Sequence, residues 1–182
     1  MSRTPSIPLR TEPPRPADGD KVVVGVADMA VSNNPNVVFT TYSLGSCLGI
    51  SIHDPVARVG GLLHLMLPDS TIDPAKGVAN PAMFVDTAVP ALLKAAYQLR
   101  AERSRLKVCV AGGAQILDDN NFFNIGRRNH EALLRVLERN GLAIHASAVG
   151  GQVNRTMMLR VSDGSVTLRI SGSKEEVPLC RS

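Results

Sequence analysis

The sequence predicts an α+β fold, a layered α/β sandwich with a mixed, largely antiparallel sheet core and two main helices. Three observations support this fold class. Most apolar runs are short and β-branched, as in strands; only two stretches repeat apolar residues at helical spacing; and the repeated strand–helix–strand units of a doubly wound fold are missing from the pattern. With 182 residues, 44% of them hydrophobic, the chain is long enough for one sizeable core.

A single domain, large enough to be catalytic, is expected over residues 21–175. Residues 1–20 contain five prolines and few apolar residues, which predicts a disordered tail, and residues 176–182 are assigned to a C-terminal tail. The sequence shows neither a signal-peptide pattern nor an apolar run of about 20 residues that would span a bilayer. Three cysteines without zinc-type spacing predict a cytosolic, reduced protein that needs no metal and no cofactor.

The first half of the domain is predicted to be rich in strands. A β-branched run predicts one strand over residues 21–27, and the turn "SNNPN" separates it from a second strand that ends near Tyr42. After the loop "SLGS", two more strands are expected at about 47–53 and 59–67, joined by "DPVA". These last two strands should pair as a hairpin.

The first helix is predicted within residues 81–103, where apolar residues recur at helical spacing and Pro90 lies inside the pattern. Its apolar face consists of Val85, Ala88, Val89, Leu92, Leu93 and Ala96. A short buried strand, "LKVCVAGGA", should follow and leave through two glycines.

The second helix is expected over residues 127–140, closed by Gly141. A strand over residues 142–149 and a final hairpin with Asp163–Gly164 at its turn complete the predicted order of elements.

The hairpin formed by the third and fourth strands provides a test of two chemically active residues. If the chain turns about Pro55–Val56, Cys47 lies opposite His64, with Cβ atoms about 4.5–5.5 Å apart. In this register the face with Leu48 points to the core, and the face with Cys47 is small and open near its middle.

A cysteine beside a histidine indicates nucleophilic catalysis. The imidazole can take the thiol proton and return it to a leaving group, and the backbone N–H groups of Ser46 and Cys47 can form an oxyanion hole. Gly45, close to the cysteine, lets a substrate backbone approach. The alternative is that Cys47 is a small buried hydrophobe and His64 a hydrogen-bonded core histidine.

The blocks "TYSLGSCLGI" and "GGLLHLMLP" closely resemble the CheD family, the chemoreceptor glutamine deamidases of bacterial and archaeal chemotaxis. The blocks "DMAVSNNPNVVFT", "FVDTAVPALL", "VAGGA" and "FNIGRRN" follow the family's order, so that the resemblance covers about residues 21–170. It implies a sandwich related to the catalytic domain of cytotoxic necrotising toxins.

The resemblance also implies the roles of individual residues. Cys47 matches the family's catalytic cysteine, His64 its histidine and Thr41 its supporting threonine. A thioester would form on the cysteine, and glutamines of methyl-accepting chemotaxis receptors would become glutamates in the cytoplasm, near receptor arrays. A CheC-type phosphatase is an implied partner in some members.

The motif "NIGRRN" gathers amide and guanidinium donors ahead of the second helix, in Asn124, Arg127, Arg128 and Asn129. These residues would either grip the substrate or an acidic receptor surface, or cap the helix. Other residues are expected to be structural: His53 in a surface turn, Cys109 inert in a buried strand, and Cys180 in the exposed tail.

Three other functions remain open at this stage. Another cysteine-dependent amidase or transglutaminase-like enzyme would use the same pair, and a non-catalytic adaptor of a chemotaxis phosphatase would not need Cys47. A nucleic-acid binder would use the basic excess of +4, but aromatic residues make up only 3% of the chain and offer few platforms for bases.

Overall fold

Two five-stranded sheets pack face to face in the computed structural model, which describes residues 19–115 and 124–181. The first sheet has the order β1-β3-β8-β9-β10 and the second β2-β5-β4-β6-β7. The strands are β1 Asp20–Val23, β2 Asp28–Ser32, β3 Val37–Leu44, β4 Leu48–Asp54, β5 Val59–Leu65, β6 Lys107–Gly112, β7 Ile144–Val149, β8 Arg155–Arg160, β9 Val166–Ile170 and β10 Glu176–Cys180. The helices are α1 Pro74–Ala79, α2 Val85–Gln98 and α3 Ile125–Arg139. The predicted α+β sandwich is confirmed.

The hydrophobic core has two layers, one on each face of the second sheet. One layer lies between the two sheets, and the other lies between the second sheet and helices α2 and α3. Because both faces of the second sheet are covered, every residue of β4 and β5 is buried. This explains why these strands have apolar or small residues at almost every position instead of alternating with polar ones.

Helix α2 buries the six residues that the sequence pattern assigns to its apolar face. Pro90 lies inside the helix, as expected. The prediction of this helix and of its packing face is therefore confirmed.

The hairpin of β4 and β5 differs from its predicted register by two residues. Gly49 is opposite His64, and Leu48 is opposite Leu65. The loop holds four residues rather than two, because the Asp54 carboxylate accepts hydrogen bonds from the N–H groups of Val56 and Ala57. A shift of two residues leaves each side chain on its predicted face.

The face predicted to be open is filled by the first sheet. An added Cβ at Gly49 would lie 2.7 Å from a methyl group of Leu44 and 3.0 Å from the sulfur of Met157. The prediction of an open face was wrong because it treated the hairpin alone, whereas this face is the interior of the sandwich.

Two strands were not anticipated. The strand predicted over residues 21–27 ends at Val23 in β1; a turn at Ala27, whose φ is 54°, follows, and the chain then enters β2, which pairs in the second sheet. Residues Glu176–Cys180, assigned to a C-terminal tail, form β10 and pair with β9.

His53 is 3% exposed, not in a surface turn, and its Nε2 bonds the Val161 carbonyl. The predicted N-terminal tail lies outside the described residues, except for its last two positions, 19 and 20.

Candidate active site

Thr41 and His64 meet in the space between the two sheets. Thr41 lies on β3 of the first sheet and His64 on β5 of the second, and both are almost fully buried. The Thr41 Oγ1 lies 2.7 Å from His64 Nδ1 and 2.7 Å from the carbonyl oxygen of Val24. The hydroxyl of Thr41 is thus in hydrogen-bond contact with the ring of His64.

These two distances fix the tautomer of His64. A threonine hydroxyl has one hydrogen, and the Val24 carbonyl can only accept it. Thr41 therefore donates to Val24, and its oxygen accepts the N–H of His64 Nδ1. The other ring nitrogen, Nε2, is then the unprotonated one.

Burial lowers the pKa of His64 to about 4. The imidazole is consequently neutral at pH 7, with its lone pair on Nε2. That nitrogen is buried and has no hydrogen-bond partner among the described residues. A neutral imidazole with a free lone pair is suited to act as a general base.

Cys47 lies in the loop that enters β4, two residues before Gly49, the residue opposite His64. Its side chain is partly buried against the core between the sheets. Burial raises the pKa of the thiol, although its own backbone N–H acts in the opposite direction. At neutral pH the Cys47 side chain is therefore a protonated thiol and the His64 ring is uncharged.

Backbone hydrogen bonds hold this loop, Gly45–Cys47, against the turn that follows β6. The N–H of Ala114 donates to the Gly45 carbonyl, and the N–H of Gly113 donates to the Cys47 carbonyl, each at 2.8 Å. The turn needs glycine, since Gly112 has a φ of 108° and an added Cβ would lie 2.2 Å from the Cys47 oxygen. The "VAGGA" motif thus forms a tight turn that supports the cysteine loop.

The donors of "NIGRRN" do not converge on one site. Asn124 precedes α3 in a left-handed conformation, and its side-chain oxygen accepts from Gln115. Arg127 is exposed and pairs with Glu131, while Arg128 lines a shallow surface depression. Only Asn129 points inwards, where it is fully buried.

Asn129 donates from Nδ2 to the carbonyls of Ser46, at 3.1 Å, and Met66, at 2.9 Å. It therefore contacts the chain next to both Cys47 and His64. Asn129 lies close to the surface arginines in the sequence, so the local pattern does not distinguish its buried position from theirs.

Two kinds of feature are absent from the described residues, 19–115 and 124–181. No three side chains of His, Cys, Asp or Glu are grouped so that they could hold a metal ion. None of the helices is long and apolar enough to cross a membrane.

Comparison with known proteins gives consistent matches. The family model described as "CheD chemotactic sensory transduction" matches residues 66–170. A protein of Solibacter usitatus named "Probable chemoreceptor glutamine deamidase CheD" is 46% identical over 158 residues, which covers 87% of this chain and 94% of the relative. One of Syntrophus aciditrophicus, "Probable chemoreceptor glutamine deamidase CheD 1", is 45% identical and covers 83% and 94%.

Solved structures match only distantly. The hypothetical protein YfiH of Bacillus licheniformis has a TM-score of 0.37 and 12% identity, over 69% of this chain and 50% of that one. This similarity is too low to support an argument about function.

Proposed function

The chain belongs to the CheD family, and from this premise we propose that it is a protein-glutamine deamidase that converts receptor glutamines to glutamates with Cys47 as nucleophile. Two relatives that align with this chain over 94% of their length are named as probable chemoreceptor glutamine deamidases. The observation that carries the proposed mechanism is the Thr41–His64 hydrogen bond, because it leaves Nε2 of His64 as a base.

In the first half of the reaction, the Cys47 sulfur attacks the side-chain carbonyl carbon of glutamine. His64 Nε2 takes the thiol proton, and the C–N bond then breaks as the same proton passes to the leaving ammonia. The product is a thioester between Cys47 and the former glutamine side chain.

In the second half, water attacks the thioester carbon. His64 Nε2 takes a proton from the water and returns it to the sulfur as the C–S bond breaks. The net reaction is the hydrolysis of one amide to a carboxylate and ammonia. A neutral receptor side chain thereby becomes negatively charged.

The test compares the wild type with Cys47→Ala on purified cytoplasmic fragments of chemotaxis receptors. We expect ammonia release and a gain of about 1 Da at specific glutamines with the wild type only, because the thioester cannot form without the sulfur. Cys180→Ala is the matched control and should retain activity. Equal conversion by Cys47→Ala would contradict the proposal.

Release of ammonia without cleavage of the peptide would indicate a deamidase, whereas peptide cleavage would indicate another cysteine-dependent amidase. A chemotaxis defect that Cys47→Ala rescues fully would instead indicate an adaptor. We also propose, from the family resemblance, a cytoplasmic location at receptor arrays and a CheC-type phosphatase as a partner. Fluorescence co-localisation with receptors and a pull-down with the phosphatase test these two points.

A further inference from the structure

The side chain of Asn129 is a buried clamp between two chain segments of the active site. It is fully buried, and its Nδ2 donates to the carbonyls of Ser46 and Met66. The opposite amide orientation would place Oδ1 against two other acceptors, so this orientation is the only favourable one. Oδ1 itself has no hydrogen-bond partner among the described residues.

Close packing of α3 brings Asn129 to this position. An added Cβ at Gly126 would lie 2.5 Å from the carbonyl oxygen of Gly113, so the first turn of α3 packs directly on the turn after β6. Asn129 lies three residues further on, on the same face of the helix. Its side chain thus reaches the cysteine loop from a rigid element.

The hydrogen bond to Ser46 also determines where the next N–H points. In a trans peptide the C=O of one residue and the N–H of the next point in opposite directions. Asn129 holds the Ser46 carbonyl towards α3 and therefore directs the Cys47 N–H away from it. In the same way, the Ala114 N–H holds the Gly45 carbonyl towards the turn after β6, so that the Ser46 N–H points away from that turn.

We propose that Asn129 is a positioning residue that holds the Cys47 N–H in place as an oxyanion-hole donor. The inference rests on the proposed function only in requiring that Cys47 attacks a carbonyl carbon. This donor belongs to the attacking residue itself, so it stays within a few bonds of the Cys47 sulfur, close to where the oxyanion would form. A leucine of similar size would fill the same space but could not donate to the Ser46 and Met66 carbonyls.

Two small probes separate this role from a general effect on the thiol. With p-nitrophenyl acetate, the Cys47 sulfur bonds to the acetyl carbon, p-nitrophenolate leaves with the C–O electron pair, and the thiol proton goes to His64; this route passes through an oxyanion. With iodoacetamide, the sulfur bonds to a saturated carbon as iodide leaves, the thiol proton goes to His64, and no oxyanion forms. Both rates are measured in single-turnover experiments on the full chain carrying Cys180→Ser, with Cys47→Ala as the blank.

In this background, we expect Asn129→Leu to slow acylation by about 10-fold or more and to change alkylation by less than about threefold, because only acylation needs the positioned donor. Leu133→Ala is the matched control. It removes a fully buried side chain one turn further along the same face of α3 and leaves the amide in place. It should lower the melting temperature but keep the ratio of the two rates.

Two results would overturn the proposal: an unchanged ratio of the two rates in Asn129→Leu, whether or not both rates fall, or the same change of ratio in Leu133→Ala. If Asn129→Leu does not fold, Asn129→Ala removes the same amide donors without adding bulk or charge and is judged by the same ratio. The probes do not need a receptor. If the wild type fails to deamidate receptor fragments but Asn129→Leu still slows acylation more than alkylation, only the proposed function is rejected.

Discussion

At the scale of single residues, the proposed chemistry depends on an imidazole that is neutral and held in one tautomer. Burial keeps His64 uncharged, and the Thr41 hydroxyl, itself bound to the Val24 carbonyl, holds the proton on Nδ1. In the proposed reaction His64 has to remain neutral until the Cys47 sulfur attacks. A hydroxyl such as that of Thr41 is therefore sufficient to orient the ring. A carboxylate in its place would raise the pKa of the ring.

Thr41→Val should reduce kcat of deamidation by about 100-fold, the usual contribution of general acid–base catalysis. Valine keeps the shape but cannot accept the Nδ1 proton, so the ring can move its proton to Nε2 and lose its base. Thr40→Val is the matched control, because neighbouring residues of a strand face opposite sides. Kinetics and ¹⁵N NMR of the His64 tautomer check the result; a normal kcat with an altered tautomer would refute the role of Nε2.

The pH profile of kcat/KM should have its acid limb near pH 4. His64 must be neutral to act as a base, and burial lowers its pKa to about 4. At pH 5.5 the enzyme should keep nearly full activity, whereas an imidazole of pKa 6.5 would leave about a tenth.

Unfolding must be followed by circular dichroism in the same buffers. Burial also lowers the pKa of His53, so the unfolded state takes up protons more readily, and stability falls as the pH drops below about 6.5. A limb near pH 6.5 in a folded protein would contradict the assigned state of His64.

At the scale of elements, Asp54 joins the β4–β5 hairpin to the segment after α2. Its carboxylate is fully buried and accepts from the N–H of Glu102 and the guanidinium of Arg105, as well as from its own loop. Burial alone would raise the pKa of Asp54, but these hydrogen bonds outweigh it and hold the pKa well below its usual range. This network explains why the hairpin loop is longer than a tight turn.

Asp54→Asn should destabilise the fold by about 3 kcal/mol, because it leaves a partly buried guanidinium and buried N–H groups without their carboxylate. Urea unfolding followed by far-UV circular dichroism measures the change. Glu102→Gln is the control: its carboxylate is largely exposed beside the same arginine and should contribute less than about 1 kcal/mol. Equal effects of the two variants would show that the buried network does not stabilise the hairpin.

At the scale of the whole molecule, the sequence determined some features and left others open for physical reasons. Local patterns located α2 and its buried face, the hairpin strands and the side that carries Cys47 and His64. The pairing of Thr41 with His64 joins two sheets, and no local period reveals which strands face each other across a sandwich; here the family resemblance supplied the residue. The hairpin register depended on a side-chain cap by Asp54, and the clamp by Asn129 depended on how α3 packs.

Because Thr41, His64 and Asn129 come from the first sheet, the second sheet and α3, the site exists only when all three layers are docked. We therefore expect deamidase activity and the circular dichroism signal to be lost at the same urea concentration, as in a two-state transition. Activity has to be assayed at each urea concentration without dilution. Asp54→Asn, whose network is outside the site, should lower both midpoints equally. Activity lost at clearly lower urea would instead mean that the site opens locally while the sandwich stays folded, and the layers would then not act as one cooperative unit.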